Sequence, residues 1–333
     1  MKKWILLSMA LLIANKVQAV KRVELCHMEP VIREIAGEPE QELNWLRSYL
    51  KDKQIIFVSG YLGCTRSEFR DSMAVIERID PDVPVNRICP PSERSVENNV
   101  EYVRRQIRLI AAHNPNRNIV LIGQSKGGVE IVQTLAVYPE LMRPNERRGY
   151  HVAGVVTISA PFGGSAIADL LLGENPLLTE QWEEFAIVNK IPDNGLVRLI
   201  TRIFIGATFD GFESLTTVRS EERKRRTLDK LDARTRRLLN QRVYYVTSRR
   251  YHDRDGDLPV VVRPIAKFLS FLDPDNDGLV FERNQRWNDF GTHLLEIEGA
   301  SHFSLVEVYS EPCCRREFTR LLFLELARRE RRN

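Results

Sequence analysis

The stretch Asn118–Val132, NIVLIGQSKGGVEIV, joins four apolar residues, Ile119 to Ile122, to an amphipathic run carrying Val129, Ile131, Val132 and Leu135. A short apolar run that ends at glycine and gives way to helical periodicity is a buried strand turning directly into a helix. Ser125 sits in that turn, inside Gly123-Gln124-Ser125-Lys126-Gly127. A serine held there projects its hydroxyl above the sheet, and the flanking glycines are needed because side chains would collide with neighbouring backbone. The helix that follows points its N-terminal amides and the positive end of its dipole at the same place, which suits a developing oxyanion. A phosphate-binding turn is the competing reading of a glycine-rich junction. Its Walker form places Lys before Ser/Thr after Gly and four residues; here the lysine follows the serine, and no Gly-x-Gly-x-x-Gly stands early in the chain.

The same alternation extends along the chain. Gln54 to Gly60, Val152 to Ser159, Arg242 to Ser248 and Leu294 to Ile297 read as strands, and Val96 to His113 as a helix with Val96, Val100, Val103, Ile107 and Ile110 on one face. Buried strands alternating with amphipathic helices predict a mainly parallel central sheet covered by helices on both faces. More than eighty residues separate the strand ending at Ser159 from the one starting at Arg242, far more than one crossover helix needs. Residues 166–212 are therefore expected to form a helical cap insertion, with Trp182, Phe185, Leu196 and Phe204 facing a ligand; a further core helix pair is the alternative. Ser220 to Asn240 reads as one charge-dense, solvated helix. No repeat or linker divides the 333 residues, of which 43% are hydrophobic, so residues 20–333 are expected to form a single domain.

A nucleophilic serine needs a base, and the base needs a carboxylate to fix its tautomer. Six histidines are available. His302 is the candidate because LLEIEGASHFSLV places it just after a strand and a Gly-Ala turn; His293 and His252 are alternatives, while His27, His113 and His151 read as caps or solvated residues. Asp277 is the candidate carboxylate, since Gly278 permits a loop at a strand end; Asp253, Asp255 and Asp257 form a second cluster. The spacing Asp273-x-Asp275-x-Asp277-Gly278 also matches the opening of a calcium loop, but its twelfth position is Asn284 where a bidentate Glu is expected, which leaves a looser site at Asp273 and Asp275. Backbone N–H groups of Tyr61, in the turn Gly60-Tyr61-Leu62-Gly63, and of Lys126 are the expected oxyanion donors.

The first nineteen residues carry Lys2, Lys3 and Lys16, an apolar run from Trp4 to Ala14, and small residues before Val20. They read as a signal peptide cleaved after Ala19, which predicts a secreted or periplasmic protein; a retained anchor is the alternative. Without them the formal charge of +4 falls to 46 basic against 45 acidic residues, so the charge supports no nucleic-acid partner. Export favours disulfides among Cys26, Cys64, Cys89, Cys313 and Cys314, with at least one thiol left over. Cys64 and Cys89, on adjacent loops, are the first expected pair, and one of the neighbours Cys313 and Cys314 is expected to reach Cys26.

Taken with Ser59-Gly60-Tyr61-Leu62-Gly63, Thr157–Ser165 (TISAPFGGS), ESLTT, NDGLV and GASHFSLV, the chain between Gln54 and about Val308 resembles the α/β-hydrolase family, and within it bacterial secreted lipases and esterases. The order Ser125, Asp277, His302 matches the family's nucleophile, acid, base order. The resemblance implies the α/β-hydrolase fold, an acyl-enzyme mechanism on Ser125, no cofactor, an ester or lipid substrate, and transient contact of the cap with a lipid interface. Phospholipase or acyltransferase activity on the same triad, and a catalytically inactive binding protein, are the alternatives. Three departures stand out: Phe162 in place of the usual His of Thr-Pro-His-x-Gly-Ser, Ser59 in place of His before the oxyanion glycine, and Lys126 after the nucleophile.

Overall fold

The computed structural model describes residues 20–65, 67–145, 149–189, 191, 209–251, 258, 262–307 and 310–332. The expected signal peptide, Leu196, Phe204, His252, Asp253, Asp255 and Asp257 lie outside the described residues. The chain opens with β1 (Lys21–Glu24), α1 (Glu29–Ala36), α2 (Pro39–Leu50), β2 (Lys53–Val58), α3 (Arg70–Ile79) and β3 (Val85–Ile88). It continues through α4 (Val96–His113), β4 (Asn118–Gln124), α5 (Lys126–Val137) and β5 (Val152–Ile158). The long connection that follows holds α6 (Ala166–Leu172), α7 (Pro176–Val188), α8 (Phe209–Glu213), α9 (Thr217–Lys230) and α10 (Ala233–Arg242). The remainder is β6 (Val243–Arg249), α11 (Arg263–Leu272), β7 (Thr292–Glu298) and α12 (Pro312–Arg332).

Seven strands form one sheet in the order β1-β7-β6-β5-β4-β2-β3, and every pair is parallel. Strand residues alternate between two cores as the two-residue period of a pleated strand requires. Ile56, Val58, Ile119 and Leu121 join α4, α5, α6, α7 and α11 on one face. Ile55, Phe57, Val120 and Ile122 join α1, α2, α3 and α12 on the other. With both faces covered, the central strands are apolar throughout, which is why β2, β4 and β5 were readable without any alternation in the sequence.

The turn at Ser125 lies at the end of β4, between β2 and β5: Gly123 stands opposite Val58 on one side and Thr157 on the other. After β2 the chain moves outward to β3 and returns on the far side of β2 as β4, after which the sheet grows the other way through β5, β6 and β7. Loops that leave the carboxyl ends of these strands therefore open around one crevice, the position at which parallel sheets bind ligands.

Two expectations change. The 220–240 stretch is two helices, α9 and α10, because Asp232 accepts a 2.6 Å bond from the Thr235 N–H and starts a new helix. Trp182, expected to face a ligand, is buried: its ring packs edge-on against Phe268 at 5.3 Å and stacks on half-buried Phe185. Burying a ring of that size contributes roughly 2–3 kcal/mol, so α7 behaves at this position as a core helix. Edge strands β1 and β3 and the terminal helix α12 complete the sheet and its second face. The disulfide Cys26–Cys314 and the ion pairs of Arg320 with Glu29 and Glu42 fasten α12 beside α1 and α2. Among the described residues no helix is long and apolar enough to cross a membrane.

Candidate active site

Ser125 occupies the single residue between β4 and α5, with φ 51° and ψ −129°. For a residue bearing a side chain this region costs about 1–3 kcal/mol and persists only where the surroundings impose it. The constraints are visible. Ser125 N–H donates to Ile158 O at 2.9 Å and Ser125 O accepts from Gly128 N–H at 3.0 Å. The glycines let α5 lie against the sheet: a Cβ on Gly123 would stand 2.7 Å from Gly128 backbone, and one on Gly127 2.4 Å from Val58 O.

The structure brings Ser125, His302 and Asp277 together. His302 Nε2 lies 2.8 Å from Ser125 Oγ, and His302 Nδ1 lies 2.8 Å from Asp277 Oδ2. The ring is fixed through its backbone as well, since His302 N–H donates to Asp277 O at 2.8 Å and Gln124 Nε2 donates to His302 O at 2.9 Å. Gln124 thereby couples the residue before Ser125 to His302. With the carboxylate on Nδ1, the imidazole carries its proton there and presents Nε2 as an acceptor toward the serine hydroxyl.

Asp277 is fully buried and surrounded by donors. Its Oδ1 accepts from the backbone N–H groups of Leu279 at 3.0 Å and Val280 at 2.8 Å. Its Oδ2 accepts from Gln285 Nε2 at 3.1 Å and Ser248 Oγ at 3.4 Å besides His302. Gln285 reaches further: its Nε2 also donates to Ser248 O, and its Oε1 accepts from Ser248 N–H at 2.8 Å. Sequence reasoning missed Gln285 and Ser248, because a glutamine in a loop and a serine at a strand end carry no spacing signal. The one available hint was that a buried carboxylate must find several donors.

On the other side of the serine, Lys126 begins α5, so its amide lies in the first turn, where no intrahelical carbonyl is in reach. Gly60 ends the strand β2 extension against the nucleophile: a Cβ there would stand 3.0 Å from Ser125 Cβ. The turn that contains Tyr61 thus starts beside Ser125. Its N-terminal end is anchored by Gly60 N–H, which donates to the buried carboxylate of Glu68 at 3.2 Å. The disulfide Cys64–Cys89 ties its far end to the segment after β3.

The Lys126 side chain does not enter the crevice. It is 2% exposed, and its ammonium donates to Ser92 O at 3.0 Å and Arg94 O at 2.5 Å, 3.5 Å from the Glu130 carboxylate. Burial pulls the Lys126 ammonium below its usual range and pushes Glu130 up to about 7, with each group partly offsetting the shift of the other.

The competing residues that are described stand elsewhere. His293 accepts from Arg286 on Nδ1 at 2.8 Å and contacts Thr247 Oγ1 through Nε2, and burial followed by the Arg286 charge lowers it to about 4. It is a neutral, structural histidine. His27 lies beside Glu24 at the surface and His113 bonds Leu109 O at the end of α4. At the looser calcium position, Asp273 pairs with Arg283 and Asp275 with Arg249, while Asp277 faces His302. Among the described residues no group of three or more His, Cys, Asp or Glu is placed to hold a metal.

No protein-family model and no curated protein sequence matches this chain. Solved structures do. A metagenomic carboxyl esterase is 17% identical, with a TM-score of 0.55 over 85% of this chain and 76% of its own. The mature form of a Bacillus licheniformis lipase is 18% identical, with a TM-score of 0.52 over 75% of this chain and 85% of its own. At these identities the likeness speaks for the architecture, and together with the parallel seven-stranded sheet it shows that the chain has the α/β-hydrolase fold.

Proposed function

We propose that the chain is an exported serine hydrolase of carboxylic esters. The observation that carries this reading is the unbroken path from Ser125 Oγ through His302 to Asp277, 2.8 Å at each step, with the serine in a strained turn at a helix N-terminus. His302 Nε2 takes the Ser125 proton as the oxygen attacks the ester carbonyl. The amides of Tyr61 and Lys126 hold the oxyanion, and Asp277 steadies the imidazolium. His302 then protonates the leaving alcohol, and water repeats the sequence on the acyl-enzyme. None of these steps calls for a cofactor.

Two disulfides support export to an oxidising compartment. Helices α6 and α7 belong to the cap we assign to residues 166–212. The exposed apolar side chains Leu177, Ile187 and Val188 of α7 and Phe271 of α11 support transient contact with a lipid interface there.

The test is a series of nitrophenyl esters of rising chain length, run on wild type, Ser125→Ala and His302→Ala, with phospholipid, triglyceride and alcohol acceptors in parallel. The expected result is ester turnover that falls at least about 10³-fold in both variants. Turnover unchanged in Ser125→Ala rejects the proposal; acyl transfer to an alcohol exceeding hydrolysis makes the chain an acyltransferase.

A further inference from the structure

A buried ammonium beside the nucleophile is a costly choice. An apolar side chain of the same length would fill the space without the desolvation that a charge requires. The proposed chemistry uses only the Lys126 amide, so the side chain has some other occupation.

Its partners identify that occupation. The ammonium donates to two carbonyls of one segment, Ser92 O and Arg94 O. That segment is in turn bound to the turn at Tyr61: Leu62 N–H donates to Ser92 Oγ at 2.9 Å, and Cys89, three residues before Ser92, is disulfide-bonded to Cys64. Glu130, one helical turn after Lys126, repeats the connection through Asn99, whose Nδ2 bonds both Glu130 Oε1 at 2.7 Å and Pro91 O at 2.9 Å. The Tyr61 ring itself lies 5.8 Å from the ammonium. Residues 89–94 therefore form a strap, held to α5 by Lys126 and Glu130 and to the Gly60–Cys64 turn by a hydrogen bond and a disulfide.

Resting on the serine-hydrolase reading above, we propose that the Lys126 side chain is a positioning residue for the oxyanion hole. Through the strap it sets the distance between the two amides that receive the oxyanion, its own and that of Tyr61. One residue thus supplies one donor with its backbone and locates the other with its side chain. A displacement of about 1 Å at such a donor is enough to cost up to about a hundredfold in rate.

The test uses the double variant Lys126→Met/Glu130→Gln, which shortens the first side chain by one atom, keeps the length of the second and leaves neither position charged, and Ser92→Ala, which removes the acceptor for Leu62 N–H. Active sites are titrated with a phosphonate that reacts at the serine, and kcat and KM for a nitrophenyl ester are measured per titrated site. Hydrogen exchange is followed in the peptide spanning Gly60 to Cys64. The expected result is a kcat lowered about tenfold or more in the double variant with KM within about twofold, faster exchange in that peptide, and a smaller change of the same kind in Ser92→Ala. The two sets of substitutions combine less than additively because they act through one strap. An unchanged kcat per titrated site, or unchanged exchange with a lowered kcat, overturns the positioning role, and loss of titratable sites with kcat per site intact shows a merely structural one and overturns it too. Wild type that neither hydrolyses esters nor reacts with the phosphonate overturns the functional reading, and this inference with it.

Discussion

The two sides of Ser125 are built by opposite means. On the acid side, Asp277 is held by neutral donors: two amides of its own loop, Gln285 and Ser248. Most of this machinery is local, since Leu279, Val280 and Gln285 follow Asp277 within eight residues. On the side proposed to bind the oxyanion, the turn at Tyr61, the strap at Ser92 and the helix at Lys126 come from three separate segments. They are joined by a disulfide and a buried charged pair, Lys126 with Glu130. A carboxylate needs donors around it wherever they come from, and a tight loop supplies them cheaply. An oxyanion hole needs two amides at a fixed separation, and when these sit on different segments, stronger ties must fix it.

Breaking the acid side has the largest expected effect. In Asp277→Asn the amide oxygen takes the place of Oδ1, where Leu279 and Val280 donate, so the NH2 group faces three donors, Gln285, Ser248 and His302. His302 escapes the clash by moving its proton to Nε2, where it no longer accepts from Ser125. The expected outcome is a fall in kcat on the order of 10³–10⁴ with little change in KM, measured by steady-state ester kinetics.

The two disulfides sharpen the contrast. Cys64–Cys89 spans 25 residues and Cys26–Cys314 spans 288, so by loop entropy the second stabilises more, about 6 kcal/mol against about 3.5. Their catalytic effects are expected in the reverse order. Cys64→Ala/Cys89→Ala lowers kcat per titrated site by about tenfold or more by freeing the strap, while Cys26→Ala/Cys314→Ala lowers the thermal midpoint and leaves kcat per titrated site within about twofold. Parallel calorimetry and kinetics check both.

Gln285→Leu gives a smaller effect of a different kind. Ser248 N–H loses its acceptor and Asp277 one of its donors, which costs about 1–3 kcal/mol in denaturant unfolding and a kcat reduction below that of Asp277→Asn. The smallest effect belongs to His293, which touches neither side. Its folded pKa of about 4 lies below the unfolded 6.5, so between those values the unfolded chain holds the extra proton and stability falls as the pH drops. In His293→Asn that loss, about 3 kcal/mol between pH 7 and pH 4, is absent in pH-dependent unfolding, and ester turnover at pH 7 changes little.

The same contrast explains what was legible in the sequence. The strand-to-helix turn at Ser125 was readable because its glycines answer a local steric demand, and helix Val96–His113 because its apolar face repeats. His302 and Asp277, which the structure places beside Ser125, were singled out from their loops and chain order. Trp182 was misplaced because its partners on α11 lie some eighty residues away, and periodicity does not reveal which aromatic packs on which. Edge strands β1 (KRVE) and β3 (VNRI) were missed because an edge strand keeps polar residues and lacks the apolar run that marks the centre. The buried Lys126 ammonium was not legible, because its partners are backbone carbonyls of a loop that no spacing in the sequence connects to it.

The central claim is that Ser125 is a nucleophile activated by His302. Mass spectrometry of the chain after reaction with a fluorophosphonate tests it most directly. The expected result is one covalent adduct, mapped to the peptide containing Gly123-Gln124-Ser125-Lys126-Gly127, absent in Ser125→Ala and slowed at least about a hundredfold in His302→Ala. An adduct on another residue, or labelling of Ser125 at full rate without His302, contradicts it.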